Sequence, residues 1–170
     1  RAGAVRAAQV CGQCHGTDQY PHLTGQSALY IYKQLRDFKD EVRRSESMTG
    51  QASALSDQDM VNVAAYFGAQ SQPRPRRSEP SAAIATLVQH GDADRLIPAC
   101  GSCHARDGLG LPMLGPSIAA QQSQYLARQL ELFRNGSRNN DIYGIMRSVA
   151  ELLTDAELEA LASYYARLAR

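Results

Sequence analysis

Two segments of this chain combine residue types that can hold a metal-bearing cofactor: Cys11-Gly-Gln-Cys-His15 and Cys100-Gly-Ser-Cys-His104. In each, two thiols lie three positions apart and a histidine follows at once. A four-cysteine zinc site would join both pairs and leave both histidines unexplained. A dithiol redox pair of the thioredoxin kind expects a strand–helix–strand setting, which the flanking sequence lacks. Disulfide staples fit poorly, because a staple gains most by closing a long loop. Cys-x-x-Cys-His is the attachment signature of c-type haem. The two thiols add across the porphyrin vinyl groups, and the histidine lies under the iron. This spacing assigns Cys11 and Cys14 to one covalent haem c and Cys100 and Cys103 to a second. His15 and His104 are then the proximal iron ligands.

The sixth ligand has several candidates. Met48 lies seven residues before Leu55, and Met146 seven before Leu153. They are the methionines that occupy equivalent positions around the two motifs, and they are the expected axial partners. Met60 falls on the apolar face of a helix opened by Ser56, which reads as core. Met113 follows His104 by nine residues, too short a connection to reach the opposite haem face, so it is expected to pack beside the haem. His22 and His90 are not equivalent and read as loop or surface residues. A thioether ligand raises the reduction potential relative to a second histidine. With both axial positions filled by protein, the iron has no vacancy for substrate, which argues for outer-sphere electron transfer and against catalysis.

Supporting residues follow from the same pairing. A metal-bound histidine usually donates its second N–H to an oxygen acceptor. Pro21 and Pro116 open matching segments after the motifs, and their carbonyls are the candidates. Arg43 and Arg138 also match and are candidates to pair with haem propionates.

These pairings belong to an internal repeat. The motifs match at an offset of 89. Pro21, Leu23, Gln26, Tyr30, Gln34, Leu35 and Phe38 match Pro116, Ile118, Gln121, Tyr125, Gln129, Leu130 and Phe133 at 95. Leu55-Ser56-Asp57 and Ala64-Ala-Tyr66 match Leu153-Thr154-Asp155 and Ala162-Ser-Tyr164 at 98. Order is kept and only loop lengths change. Between the copies, Ser71-Gln-Pro-Arg-Pro-Arg-Arg-Ser-Glu-Pro80 reads as an extended linker. The expected organisation is a domain over residues 1–72, a linker over 73–81 and a second domain over 82–170. Apolar positions recur at helical spacing, as in Leu29, Tyr32, Leu35 and Phe38. Ser56-Asp-Gln-Asp59 and Thr154-Asp-Ala-Glu157 read as capping boxes. No alternating strand pattern stands out. Domains of this size have small cores, which a large apolar cofactor would complete.

Composition narrows the function classes. The formal net charge is +1, with ten basic and seven acidic side chains before Glu79 and eight and ten from there on. That leaves no basic stripe for nucleic acid. No apolar run approaches the roughly 20 residues needed to span a bilayer. Arg1 to Val10 lack the long apolar stretch of a signal peptide and read as the start of a helix, so an export signal is expected to have been removed.

On these residues the chain resembles the dihaem cytochrome c4 family. The resemblance is strongest from Ile97 through the motif and Gln129-Leu-Glu-Leu-Phe-Arg-Asn-Gly-Ser-Arg138-Asn-Asn-Asp141 to Ile145-Met146-Arg. In the first half it rests on Cys11 to His15, Leu23-Thr-Gly-Gln26 and Met48-Thr-Gly50. It implies an all-α fold of two tandem class I cytochrome c domains related by duplication, in a pseudo-twofold arrangement with the haems near the domain interface. It further implies a periplasmic electron carrier, soluble or attached to the outer face of the inner membrane. Its partners would be a quinol-oxidising complex or dehydrogenase upstream and a terminal oxidase or reductase downstream. The alternative is an electron-accepting cytochrome subunit of a dehydrogenase, as in sulfur-compound oxidation. A dihaem peroxidase would need an open iron and a longer chain.

Overall fold

In the computed structural model, residues 7–17, 19–71 and 79–168 are described. Most of the expected linker lies outside them. The chain divides into two units, Arg1–Gln72 and Pro73–Arg170. Among the described residues both units are helical, and the extended pairings are two isolated bridges, Asp92 with Ile97 and Leu111 with Gly115. No described helix is long and apolar enough to cross a membrane.

In the first unit a π-helical turn, Ala7–Cys11, runs into α1, Gly12–His15. Then come α2, Ala28–Lys39; α3, Glu46–Ser53; and α4, Asp57–Gly68. Each of these last three begins where a serine hydroxyl takes an orphan backbone N–H: Ser27 from Tyr30, Ser45 from Met48 and Ser56 from Asp59. Ser56 and Asp59 complete a reciprocal capping box. Ile31 and Leu35 of α2 meet Met60, Val63, Ala64 and Phe67 of α4 in one core. Each large side chain so buried contributes roughly 1.5–3 kcal/mol.

The second unit contains α5, Ala82–Gln89; α6, Gly101–His104; α7, Ser123–Arg134; a 3₁₀ turn, Ile142–Gly144; α8, Ile145–Leu152; and α9, Asp155–Arg167. Thr154 and Glu157 form the second capping box. α9 packs against both α7 and α5, joining Leu161, Tyr164 and Tyr165 to a face that includes Ile84, Leu87 and Val88. Helix α5, absent from the reading of the sequence above, had its signals in place: a Ser81 cap and apolar residues at i, i+3 and i+4.

The repeat is retained in side-chain detail. Lys39 and Arg134, 95 apart, close their helices by donating to the carbonyls of Leu55 and Leu153, at 2.6 and 3.2 Å. After both helices the chain reverses in the same way. The Arg43 N–H bonds Asp37 O at 2.9 Å, and the Arg138 N–H bonds Leu132 O at 2.8 Å. The reversal needs a left-handed residue, Gly136 (φ +74°) in the second unit and Glu41 (φ +55°) in the first. Only the glycine adopts that conformation without steric cost.

Arg95 ties the turn before α6 to the start of α9. Its guanidinium grips Glu157 through two bonds, 3.0 and 2.7 Å, and Asp92 through a third of 2.6 Å. That pairing holds the Glu157 carboxyl at about 2, against an ordinary 4.5.

Two stability predictions follow from these contacts. Replacing Glu41 with glycine should stabilise the first unit by about 0.5–1 kcal/mol, the relieved strain less the added freedom of the unfolded chain. Chemical denaturation of the haem-loaded chain measures it, and a loss of stability would contradict the strain argument. Glu157→Gln keeps the cap acceptor but removes the charge. A depressed folded pKa stabilises fully above the unfolded value and loses its effect as pH falls through the folded one. The variant should therefore melt below the wild type at neutral pH, with the gap closing between about pH 4.5 and about 2. Thermal melts across that range test it, and a gap independent of pH would rule out the charge as its source.

Candidate haem sites

Each Cys-x-x-Cys-His motif lies on a one-turn helix, so its second cysteine and its histidine leave the backbone within a single turn. None of the four cysteines is in a disulfide. Among the described residues, no cluster of three or more His, Cys, Asp or Glu could share a metal ion in the manner of a structural zinc site.

The histidines are held alike. His15 Nδ1 donates to the Pro21 carbonyl oxygen at 2.7 Å, and His104 Nδ1 to that of Pro116 at 2.8 Å. Proline suits the acceptor position, because its fixed φ steadies the carbonyl. With the proton on Nδ1, Nε2 keeps the lone pair that binds a metal. Burial pushes both imidazole pKa values down, partly offset by the carbonyl bonds, and so favours the neutral ring that ligation requires. Tyr20 stands edge-on to His15, with ring centroids 6.2 Å apart.

The two carbonyls are reached by unequal routes. Six positions separate His15 from Pro21, and twelve separate His104 from Pro116. The longer route makes a loop closed by the Leu111–Gly115 bridge, and Gly110 N–H bonds the His104 carbonyl at 2.9 Å. Met113 sits at its tip, between the two bridge residues. At the loop's base Gly115 passes close under the motif. A Cβ there would lie 2.6 Å from the Cys103 carbonyl oxygen and 3.2 Å from His104 Nδ1.

Met48 and Met146 stand in the first turns of α3 and α8, both half-buried. Met48 packs against the core cluster that also takes Cys11 and Leu23. The Ser45 hydroxyl holds its N–H at 3.4 Å. The second unit uses a carboxylate instead. Asp141, whose side chain is 3% exposed, accepts from Arg147 N–H at 3.0 Å and Arg147 Nε at 2.8 Å. Left-handed Tyr143 and Gly144 turn the chain into α8, whose second residue is Met146. Met60 is fully buried in the first core. His90 is exposed at the end of α5, and His22 is half-buried beside Pro21.

Arg43 and Arg138 are buried charges and not surface residues. Arg43 lies over the Phe38 ring at 4.7 Å and donates to Gln34 Oε1 at 2.7 Å. Arg138 lies over Phe133 at 4.3 Å and donates to Gln129 Oε1 at 2.7 Å and to Asn140 at 3.0 Å. Burying a guanidinium carries a heavy desolvation cost, and a haem carboxylate within reach of each would help to offset it. The residues present thus fit a haem in each unit: two thiols, a tautomer-fixed imidazole, a thioether and a buried cation for a carboxylate-bearing edge. The sequence showed the arginines and prolines through the repeat. It did not single out Gly115 or Asp141, whose roles arise from contacts specific to the second unit.

The family model described as "Cytochrome C oxidase, cbb3-type, subunit III" matches residues 1–67, and the model described as "Cytochrome c" matches residues 89–168. Cytochrome c4 of Pseudomonas aeruginosa is 39% identical over 173 residues, covering 96% of this chain and 85% of that protein. The thiosulfate dehydrogenase electron acceptor of Stutzerimonas stutzeri is 37% identical over 179 residues, covering 99% and 83%. The crystal structure of reduced recombinant cytochrome c4 from Pseudomonas stutzeri superposes with a TM-score of 0.85 at 36% identity, covering 98% of this chain and 97% of that one.

Gly115→Ala should force the loop away from the Cys103 carbonyl and cost the second unit about 1–3 kcal/mol, the range for overpacking. Denaturation followed at each haem band would show the loss confined to one of two transitions. Unchanged stability would mean that the backbone there yields freely.

Proposed function

Because this chain belongs to the cytochrome c4 family, whose members carry two covalent c-type haems and transfer electrons, we propose that it serves as a freely diffusing carrier with one His/Met-ligated haem per unit. His15 and Met48 would hold the iron in the first unit, and His104 and Met146 in the second. One observation carries this reading: the same Nδ1–carbonyl bond, 2.7 and 2.8 Å, is built twice by loops of unequal length. A bond kept across such a difference supports a constraint from the histidine's other nitrogen.

Bound haem supplies reversible one-electron exchange at the iron. The chain's own residues set the conditions. Cys11, Cys14, Cys100 and Cys103 anchor the porphyrin edges. Pro21 and Pro116 fix the imidazole tautomers and raise their basicity. The methionine sulfurs, as soft donors, favour the reduced state and lift the potential. With a histidine and a methionine both held to the iron, substrate would have no place on the metal, and the chain would pass electrons without making or breaking bonds. Arg43 and Arg138 offset the negative charge of the propionates.

The site of action in this reading is the periplasm, with a quinol-oxidising complex or a dehydrogenase as donor and an oxidase or reductase as acceptor. A second reading is favoured by the similarity to a thiosulfate dehydrogenase electron acceptor: the chain would be the dedicated redox partner of one such enzyme. Electron uptake compared between a purified thiosulfate dehydrogenase and a quinol-oxidising complex separates the two. Fast, saturable reduction by the dehydrogenase alone selects the dedicated partner.

Ligation is tested by redox titration with absorbance. The wild type should contain two haems and show methionine–iron charge transfer for both. Met48→Ala and Met146→Ala should each abolish that band for one haem. If neither does, the methionine assignment is wrong.

A further inference from the structure

Among the described residues, one buried side-chain polar atom has no hydrogen-bond partner: the hydroxyl of Tyr165. Leaving such a group unsatisfied costs roughly 1–3 kcal/mol. A hydroxyl retained there at that cost has something to meet. The side chain that interacts with this hydroxyl is that of Cys100. Burial pushes the phenol pKa upward, so the oxygen keeps its proton and remains a donor.

The ring cannot turn away easily. Gly108, with φ +73°, brings the backbone so close that a Cβ would lie 2.9 Å from Tyr165 Cδ1. The Tyr165 carbonyl accepts the Ala120 N–H at 3.1 Å, and Tyr164 stacks edge-on with centroids 5.0 Å apart. Cys100 packs against the same core cluster that contains Tyr165.

The first unit provides an internal control. Its equivalent residue is Phe67, also buried, paired with Tyr66 at 5.1 Å in the same edge-on manner. The aromatic pair is repeated, but the hydroxyl is not.

We infer that the Tyr165 hydroxyl donates a hydrogen bond to the Cys100 sulfur once that sulfur is the haem thioether, and that this bond raises the reduction potential of the second haem above the value it would otherwise have. A thioether sulfur has no proton and can only accept. A donor on it withdraws electron density from the porphyrin substituent and favours the reduced state, and hydrogen bonding and burial are levers by which proteins tune such cofactors. The inference deepens the electron-carrier reading and rests on covalent attachment at Cys100. Tyr165 acts here as a positioning and tuning residue that leaves the iron's ligands unchanged.

The test is spectroelectrochemical titration of the haem-loaded chain and its Tyr165→Phe variant, with resonance Raman spectra of both. Phenylalanine is the residue used by the first unit, so the core remains packed. One of the two midpoints should fall and the other stay put, and a C–S stretching band should shift in the variant. Two unchanged midpoints, a rise, equal movement of both, or a midpoint change without a C–S shift would overturn the inference. A haem count other than two per chain would instead strike at the carrier reading itself, which the same samples report.

Discussion

The hydrogen bond from histidine Nδ1 to a proline carbonyl is the constraint around which each unit is built. It fixes the proton on one ring nitrogen and so leaves the other as an electron-pair donor. Everything local to it serves the same geometry. A one-turn helix carries the imidazole, a proline stiffens the acceptor, and burial keeps the ring neutral. The loop between them is the variable part. Five intervening residues suffice in one unit and eleven are used in the other, so the bond's geometry outlasts the path that makes it.

The helices place the remaining groups relative to that bond. α2 and α4, like α7 and α9, pair through apolar faces and leave the intervening short helix, α3 or α8, to carry a methionine. The short helices differ in how they are started. A serine hydroxyl does so in the first unit, and a buried carboxylate with its own arginine in the second. Two chemistries thus meet one need, an acceptor for the N–H groups of a helix's first turn. The same economy appears at the ends of α2 and α7, where a lysine and an arginine reach equivalent carbonyls.

Much of this was legible in the sequence because duplication labels it. Cys11 to His15 and Cys100 to His104 identify the attachment chemistry by spacing alone, and the offsets of 95 and 98 singled out Pro21, Pro116, Arg43, Arg138 and the methionines without an alignment. Both capping boxes were readable from four residues each. What the sequence did not yield depends on tertiary approach. The reach of Gly115 under Cys103, the grip of Asp141 on Arg147 and the burial of the arginines over phenylalanine rings are contacts between residues whose spacing follows no local period.

The loop closed by the Leu111–Gly115 bridge has an engineering consequence. Its base is pinned by a backbone bridge, while its tip can grow or shrink without disturbing the imidazole beneath. The shorter loop of the first unit, which reaches the same bond, is the natural precedent. The tip at Met113 is therefore a permissive insertion point, where a surface-tethering cysteine or an affinity peptide could wire the molecule to an electrode.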